Sequence, residues 1–407
     1  MAKHLSKIEK LIKEKCPKGV PHKALSEIGT FTRGKRFVKS DMLEEGVPCI
    51  HYGEMYTHYG IWADEAKSFL KEEQTKKLRF AHKGDVVIVT AGETIEDIGN
   101  GVAWLGEEDV VIHDACFAFA HDLNPKYVSY FLRTPAFHSQ IKRFISSGKI
   151  SSINADGLGR AFIPVPPMKI QDEIVKILDT FTELETELET ELETRKKQYE
   201  YYRSVLVRFD GVEIETLGNV CEVASGGTPA KSKSEFWDDG NIPWLKSESC
   251  NNKPVYHATN FITELGLTKS SAKLLESDTT LIALVGATIF KTAYLEFEAT
   301  TNQNIASIKS KDSSILSDKF IFYYLTSLYG DLKSKMKNYG MLNLTTLRGF
   351  KIPIPSINEQ QRIVSLLDNF DSLVSDISAG LPAEIIARRK QYEYYRNELL
   401  TFNEYVR

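Results

Sequence analysis

Apolar residues recur at helical spacing along two long, highly charged stretches of the chain. In the first stretch, from Ile174 to Phe209, they follow one another at intervals of three, four or seven residues, which is typical of a coiled-coil seam. The second stretch begins the same spacing at Ile363, and Gly380 and Pro382 interrupt it before it resumes. The pattern predicts two helical arms, and the proline predicts a kink or break in the second arm.

Both arms end in nearly the same eight residues. The segment KKQYEYYR at 196–203 recurs as RKQYEYYR at 389–396. The match extends upstream, where Gly19 aligns with Gly211. Self-similarity at a period of about 190 residues indicates an internal duplication of nearly the whole chain.

The segments that precede the arms combine short strand-like runs with helical spacing. β-Branched or aromatic runs bounded by Gly and Asp lie at 82–92, 109–120, 276–288 and 303–310. Helical spacing follows them at 124–146 and 317–338. We therefore predict an α+β fold in which two pseudo-symmetric globular domains are separated by two long antiparallel coiled-coil helices.

The predicted boundaries follow the ends of the repeats. An amphipathic helix at 3–15 opens the chain, and we expect it to pack against the carboxy-terminal end. The alternative, in which each arm packs only on its own domain, leaves a seam of about forty residues without a partner. The predicted divisions are an N-terminal helix at 1–17, a first globular domain at 18–165, a central helical spacer at 166–209, a second globular domain at 210–354 and a C-terminal helical spacer at 355–407.

Composition narrows the class of protein without identifying a partner. The chain has 407 residues, of which 42% are hydrophobic and 26% charged, as in soluble globular proteins. Its opening has no apolar run resembling a signal peptide, so we expect a cytosolic protein. The chain has five cysteines and no CxxC pair, which favours ordinary reduced thiols over a disulfide framework or a cysteine zinc site. The net charge of −4 and the near-neutral globular segments do not by themselves support DNA binding.

Several segments resemble catalytic or ligand-binding motifs, but each lacks a residue that the motif requires. GTFTRGKR at 29–36 has the glycine and lysine spacing of a phosphate loop, but Arg36 replaces the required hydroxyl. DLNPKY at 122–127 has a lysine where an adenine methyltransferase motif has its second proline. His113 and Cys116 lie three apart, without a second pair to complete a tetrahedral metal site. The sequence therefore predicts no nucleotide, methyl-transfer or metal site on this chain.

The repeated segments resemble those of a known family. PPxxxQxxIVxxLD at 166–179 is echoed by PSxxEQQRIVSLLD at 355–368, and both arms end in QYEYYR. SGGTPAKSKSEFW at 225–237, followed by IPWL at 242–245, is similar to a common opening of a recognition domain in that family. The chain resembles the DNA-specificity subunits of type I restriction-modification systems across essentially its full length. The first domain departs from this pattern, because TRGKRFVKSD at 32–41 stands where the second domain has SGGTP.

The resemblance implies a non-enzymatic subunit that recognises double-stranded DNA. Two variable target-recognition domains are expected to read the two halves of a split, asymmetric site, with the helices setting the gap between the halves. Two modification subunits are expected to bind the helices, carry S-adenosylmethionine and methylate adenine, and restriction or translocase subunits join through them. No cofactor is expected on this chain, and no membrane partner. A coiled-coil scaffold that never touches DNA is the alternative.

The acidic tetrads TELETELETELET at 182–194 gain a role from this resemblance. At about 1.5 Å per residue, the central spacer is a rod of about 55–60 Å. One tetrad more or less would change its length by about 6 Å. The alternative is a solvated acidic face, on which Glu191 and Arg195 form a weak ion pair. Both readings are compatible with the sequence.

Local basic clusters provide the candidate DNA-binding residues, since arginine can pair bidentately with guanine or with phosphate. They occur in a loop near the start of each globular domain and again just before each arm. Recurrence in both halves favours a shared role over the solvated face of an amphipathic helix. The candidates in the first domain are Arg33, Lys35, Arg36, Lys39, Lys142, Arg143, Ser146, Ser147 and Lys149. Those in the second domain are Lys231, Lys233, Lys333, Lys335, Lys337, Asn338 and Tyr339.

Overall fold

The computed structural model describes residues 2–335, 340–375 and 378–405 and divides the chain into two compact units. Unit 1 consists of Met1–Leu188 and Ile385–Arg407, and unit 2 consists of Glu189–Glu384. The helix Met168–Leu206, which we call the central helix, lies between the two globular domains along the chain. Each unit therefore contains one globular domain and the end of the arm that follows the other domain. The predicted mixed fold of two domains with a long helix between them is confirmed.

Unit 1 is built on two sheets that pack face to face. The five-stranded sheet is antiparallel except at one edge, where Trp62–Ala63 runs parallel to its neighbour. Its strands, in spatial order, are Gly29–Arg33, Cys116–His121, Val86–Val89, Gly101–Trp104 and Trp62–Ala63. The strands of the four-stranded sheet are Ser68–Leu70, Val47–Ile50, Val110–Ile112 and Phe80–Ala81. Two small sheets pair His22–Ala24 with Phe162–Pro164 and Ala91–Gly92 with Ser151–Ser152.

Unit 2 repeats this arrangement with shorter elements in its second sheet. Its five-stranded sheet again has one parallel pair, at the Lys253–Val255 edge. The strands are, in spatial order, Cys221–Ser225, Ile305–Ser310, Thr279–Ala283, Thr292–Leu295 and Lys253–Val255. The three-stranded sheet consists of Phe261–Ile262, Ile242–Leu245 and Thr300–Thr301, and Ile214–Thr216 pairs with Lys351–Pro353. The duplication in the sequence is thus a duplication of topology.

Short helices complete both globular domains, and most begin at a side chain that caps the first turn. Asn124 accepts a hydrogen bond from the Tyr127 backbone N–H at 3.2 Å, directly before Pro125. The helices of unit 1 are Leu25–Ile28, Glu54–Thr57, Glu72–Thr75, Pro125–Phe131, Pro135–Ile141 and Ala155–Gly159. Those of unit 2 are Leu217–Val220, Glu264–Thr268, Asp318–Ser327, Tyr329–Lys335 and Leu344–Arg348.

The central strand of each five-stranded sheet is buried on both faces. All four residues of Val86–Val89 are buried. Val86 and Ile88 belong to the core that also contains residues of the short helices and of the central helix, whereas Val87 and Val89 belong to the core that contains residues of the second sheet. Burial on both faces explains why Val86–Val89 appears in the sequence as a continuous apolar run rather than an alternating one.

A buried glutamine joins each arm to its globular domain. The Gln171 side chain accepts a hydrogen bond from the Asn124 backbone N–H at 2.9 Å and donates one to the Pro166 carbonyl at 2.8 Å. Gln360 repeats both bonds, with Ser317 and with the carbonyl of the proline before its own helix, each at 2.8 Å. Both side chains are almost completely buried. The repeated glutamine thus marks the same polar joint in each unit.

The end of each arm packs against the beginning of the other arm. In unit 1, Phe181 stacks on Tyr395 with ring centroids 5.4 Å apart. Four residues after Phe181, Glu185 contacts Arg389, which lies before Tyr395 in the chain. Since the residue numbers rise on one helix as they fall on the other, the two helices are antiparallel. In unit 2, Tyr202 stacks on Phe370 at 5.4 Å. The alternative in which each arm packs only on its own domain is therefore wrong.

The second arm consists of two helices, Ile357–Ser375 and Leu381–Leu399, divided where the sequence predicted a kink or break. Pro382 lies in the first turn of the second helix. Backbone N–H groups there have no partner within the helix, so the missing N–H of proline costs no hydrogen bond. The N-terminal helix Ala2–Lys15 packs in the unit 1 core. Beyond it, the Val20 backbone exchanges hydrogen bonds of 2.9 and 3.0 Å with Asn403 and Tyr405, so the two ends of the chain pair within unit 1.

All five cysteines are buried and free of disulfide bonds. Burial raises the pKa of Cys49, Cys221 and Cys250 to about 12, so these thiols pack as small apolar groups. None of the helices in the described part of the chain combines the length and apolar character that a membrane crossing requires.

The glutamine joint predicts a specific loss of stability. In Gln171→Leu, the Asn124 N–H and the Pro166 carbonyl lose their partners in a buried place, which we expect to cost about 2–4 kcal/mol. Gln74→Leu is the control, because Gln74 is exposed in the same unit. Thermal unfolding of the full chain measures both variants. Equal melting temperatures for the two would contradict a role of the joint in stability.

Candidate nucleic-acid interface

The first basic cluster lies on a loop that leaves the end of the five-stranded sheet in unit 1. Arg33 ends the strand, and its Nε donates to the Asp114 carbonyl at 3.1 Å. The Gly34 N–H donates to Cys116 and the Lys35 N–H to Ile112, at 3.0 and 3.2 Å. The side chains of Arg33, Lys35, Arg36 and Lys39 are exposed on this anchored loop.

Glycine is required where this loop crosses the sheet. A Cβ atom added at Gly34 would lie 2.1 Å from the His113 carbonyl oxygen. In unit 2, a Cβ at Gly226 would lie 2.1 Å from Thr301 Oγ1. The agreement of these two glycines in otherwise different loops therefore has a steric cause.

Aromatic rings gather beside the basic loop. His51 and His113 follow the parallel strands Val47–Ile50 and Val110–Ile112, and their ring centroids are 4.5 Å apart. Tyr52 and Phe37 complete the group, at 5.1 and 5.2 Å from His113. Burial lowers the pKa of both histidines, so their rings are neutral at physiological pH.

A cavity of about 910 Å³ lies between the basic loop and these rings. We call it the strand-end cavity. Basic, aromatic and acidic side chains line it together with the exposed Ile150, which belongs to the second cluster's loop. The lining residues that carry chemistry are Arg33, Arg36, Lys39, His51, Tyr52, Tyr56, Glu93, Asp97, His113 and Asp114. The cavity thus places Ile150, which follows Lys149 of the second cluster, beside residues of the first cluster.

The second cluster of unit 1 lies on a turn and a hairpin. Lys142 and Arg143 are exposed on the single 3₁₀ turn Lys142–Phe144, and the Arg143 guanidinium lies 4.7 Å from the Phe144 ring centroid. Ser146 and Ser152 exchange backbone hydrogen bonds of 2.9 and 3.0 Å, which closes a hairpin with Ser147 and Lys149 exposed at its tip. The helical spacing predicted through residue 146 is wrong at its end, because the helix Pro135–Ile141 stops five residues earlier.

The equivalent loop of unit 2 is fixed by two tryptophans. Trp244 Nε1 donates to the Gly227 carbonyl at 3.0 Å, and Trp237 Nε1 donates to the Ala230 carbonyl at 3.2 Å. Lys231 and Lys233 are exposed on this loop, and the Lys233 ammonium lies 4.9 Å from the Phe236 ring centroid.

The last group of candidates is described only in part. Lys333 and Lys335 lie in the last turn of the helix Tyr329–Lys335. Lys337, Asn338 and Tyr339 lie outside the described residues.

Comparison with known proteins connects these features to a family. A family model for the type I restriction modification DNA specificity domain matches the chain twice, over residues 17–195 and 210–387. This chain belongs to the type I restriction-modification DNA specificity family. The two matches correspond to the two halves of the duplication.

Curated relatives agree with this assignment. The specificity subunit of type I restriction enzyme EcoR124I/EcoR124II from Escherichia coli is 39% identical over 248 residues, which are 59% of this chain and 61% of the relative. That match therefore spans less than two thirds of the relative's length. The putative specificity subunit S.HindORF215P from Haemophilus influenzae is 30% identical over 336 residues, 80% of this chain and 84% of the relative.

Solved structures share the fold over nearly the whole chain at 16% sequence identity. The type I S subunit from M. genitalium has a TM-score of 0.51 and covers 93% of this chain and 96% of its own. The HsdS subunit from Thermoanaerobacter tengcongensis has a TM-score of 0.54 over 94% and 96%. A chain from a study of type I R-M complex assembly reaches 0.65 over 94% and 98%.

The homologues are specificity subunits, the non-catalytic DNA-recognition components of restriction-modification complexes. The expectation that this member of the specificity family is not an enzyme is therefore confirmed. DNA contact by the individual candidate residues stays a prediction.

The sequence of this specificity-family chain did not predict several residues that the strand ends bring together. His51, Tyr52 and Tyr56 line the strand-end cavity. They belong to no basic cluster and to no motif, so no local pattern in the sequence indicates them. In unit 2, Lys246 directly follows the strand Ile242–Leu245, and Gln303 is the second residue after the parallel strand Thr300–Thr301. A search for residues within two positions of the ends of two strands predicted to be parallel neighbours would have found all of them except Tyr56.

The steric role of Gly226 predicts a measurable defect. In Gly226→Ala, the new Cβ overlaps Thr301, and we expect a loss of about 1–3 kcal/mol in stability. The melting temperature should fall by about 2–4 °C for each kcal/mol. Gly330→Ala is the control, since a Cβ at Gly330 meets nothing within 4 Å. A Gly226→Ala variant as stable as Gly330→Ala would contradict the close approach.

Proposed function

We propose that this chain is the DNA-recognition subunit of a type I restriction-modification complex, and that each unit reads one half of a split, asymmetric site. One observation carries the proposal: the two units repeat one framework, yet its exposed loops differ in nearly every residue. The loop after Gly34 begins KRFVKS, with basic residues one, two and five positions beyond the glycine, whereas the loop after Gly226 begins GTPAKSK and has its lysines five and seven positions beyond. Two unlike surfaces on one repeated framework suit two unlike half-sites.

The arms are proposed to recruit two modification subunits, which supply S-adenosylmethionine and methylate adenine. Restriction or translocase subunits join the complex through them. Tyr201 and Tyr394 occupy equivalent positions in the two repeats and are 62% and 60% exposed. Two equivalent exposed tyrosines support binding of two copies of the same partner.

Methylation mapping tests this function. The chain is co-expressed with its cognate modification subunit, and methylated adenines are located in the host DNA. We expect a sequence in two defined parts separated by a fixed number of undefined base pairs. Methylation by this chain alone would contradict the proposal. Modification that does not depend on this chain would favour the scaffold alternative.

The central helix is proposed to set the gap between the half-sites. Residues 182–194 lie entirely within it, and Glu191 and Arg195 form an ion pair at 2.7 Å. This exposed pair contributes little stability, so the acidic tetrads are not explained by ion pairing alone.

Insertion of one further TELE tetrad tests the spacer. The helix gains about 6 Å, and we expect the gap to grow by one to two base pairs, at about 3.4 Å each, while both half-sites stay unchanged. The double variant Glu183→Gln, Glu187→Gln is the control for the acidic surface, because it alters charge and not length. Methylation mapping reads out both. The original gap after insertion would contradict the spacer role.

A further inference from the structure

The two units present different side chains at equivalent positions of one framework. In unit 1, the His113 N–H donates to the Ile50 carbonyl at 3.2 Å, which holds the ends of two parallel strands together. In unit 2, the Asn302 N–H donates to the Leu245 carbonyl at 2.9 Å between the corresponding strands. The residue after the first strand is His51 in unit 1, and in unit 2 the chain has Lys246 at that position.

The loop that crosses these strand ends is anchored equivalently in both units. The Gly34 and Gly226 N–H groups donate to Cys116 and Ile305, at 3.0 and 3.2 Å. Two residues after each glycine, unit 1 has Arg36 and unit 2 has Thr228. The backbone is therefore matched at these points, and the difference between the units is confined to side-chain chemistry.

Within the proposed function, we propose that these strand ends are the base-reading surfaces, and that they differ in the base each selects. Arg36 and His51 of unit 1 read guanine. Gln303, oriented by Thr228, reads adenine in unit 2. The four residues are specificity-determining, while the lysines outside the strand ends contact phosphates.

The unit 1 surface is rich in hydrogen-bond donors. His51 Nδ1 accepts a hydrogen bond from the Gly53 N–H at 3.2 Å, so the proton of the neutral ring lies on Nε2, which donates. The exposed Arg36 adds a guanidinium fork on the same cavity. Guanine presents two acceptors, O6 and N7, in the major groove, and it is the base that such donors match.

The unit 2 surface presents an oriented amide. Thr228 Oγ1 donates to Gln303 Oε1 at 2.5 Å. This bond occupies one lone pair of the amide oxygen and leaves the second lone pair and both N–H donors for a ligand. Gln303 is exposed, so its amide is accessible to a base edge. An acceptor beside a donor matches N6 and N7 of adenine.

The plainer interpretation is that these side chains only stabilise the loops. The His51, His113 and Phe37 rings do pack on one another, with centroids 4.5–5.8 Å apart. However, packing does not account for Arg36 or Gln303, which are exposed beside the strand ends. A stabilising role would also be insensitive to the chemistry of the DNA base.

Atom replacement in the DNA separates the two interpretations. The complex of the full chain with its cognate modification subunit is titrated with duplexes carrying the mapped site. Each guanine or adenine is replaced in turn by its 7-deaza analogue, which lacks N7. We expect the unaltered complex to lose roughly tenfold or more in affinity at one guanine of one half-site and at one adenine of the other.

The variants assign each loss to a side chain. The Arg36→Ala complex should become insensitive to the guanine replacement alone, and the Gln303→Ala complex to the adenine replacement alone. Arg36→Lys, which keeps the charge without the fork, should behave as Arg36→Ala. The Arg36→Lys variant also provides this test if the alanine variant does not fold. Lys142→Gln should weaken all duplexes equally and reduce the salt dependence, whereas Arg79→Ala and Gln361→Ala are exposed controls expected to change nothing.

Two results would overturn the inference. If both variants keep the full sensitivity of the unaltered complex, the strand ends do not read these bases, although a split methylated site would still uphold the proposed function. If the unaltered complex methylates no split site, the proposed function fails and the inference fails with it.

Discussion

The aromatic contact between each arm's end and the other arm's beginning is the constraint on which the structure depends. Tyr395 packs on Phe181 in unit 1, and Tyr202 packs on Phe370 in unit 2. Because each unit completes its core with residues from the other half of the chain, neither half contains a whole unit. Each QYEYYR segment therefore helps to complete the unit that contains the other globular domain. The segment is repeated because the two contacts are equivalent.

A framework of this kind separates architecture from recognition. The glutamine joints and the close approaches at Gly34 and Gly226 are the same in both units, since each is set by backbone geometry and burial. Arg36, Lys246 and Gln303 are exposed at the strand ends, and the side chains there differ between the two units. Bases are selected by side-chain donors and acceptors, so under the proposal that these side chains read bases, recognition changes at these positions without disturbing the fold.

Much of the fold could be predicted from the sequence, because duplication and helical periodicity are local signals that repeat. The break before Pro382 and the glycine match are examples. The strand-end cavity could not be predicted, since it joins segments around residues 36, 51, 113 and 150 through a parallel strand pairing that leaves no local pattern. The hairpin closed by Ser146 and Ser152 was also missed, because Phe144 and Ile145 extend the apolar spacing beyond the helix end.

The central claim is that the two globular domains are interchangeable readers on a repeated framework. A chain in which residues 210–354 also replace residues 18–165 tests it most directly, in complex with the modification subunit and by methylation mapping. Because Gln171 and Gln360 make equivalent joints, the second domain should dock in the first position. The account predicts a site with two copies of the half-site read by unit 2, at the original spacing. A folded complex that methylates the original asymmetric site would contradict it.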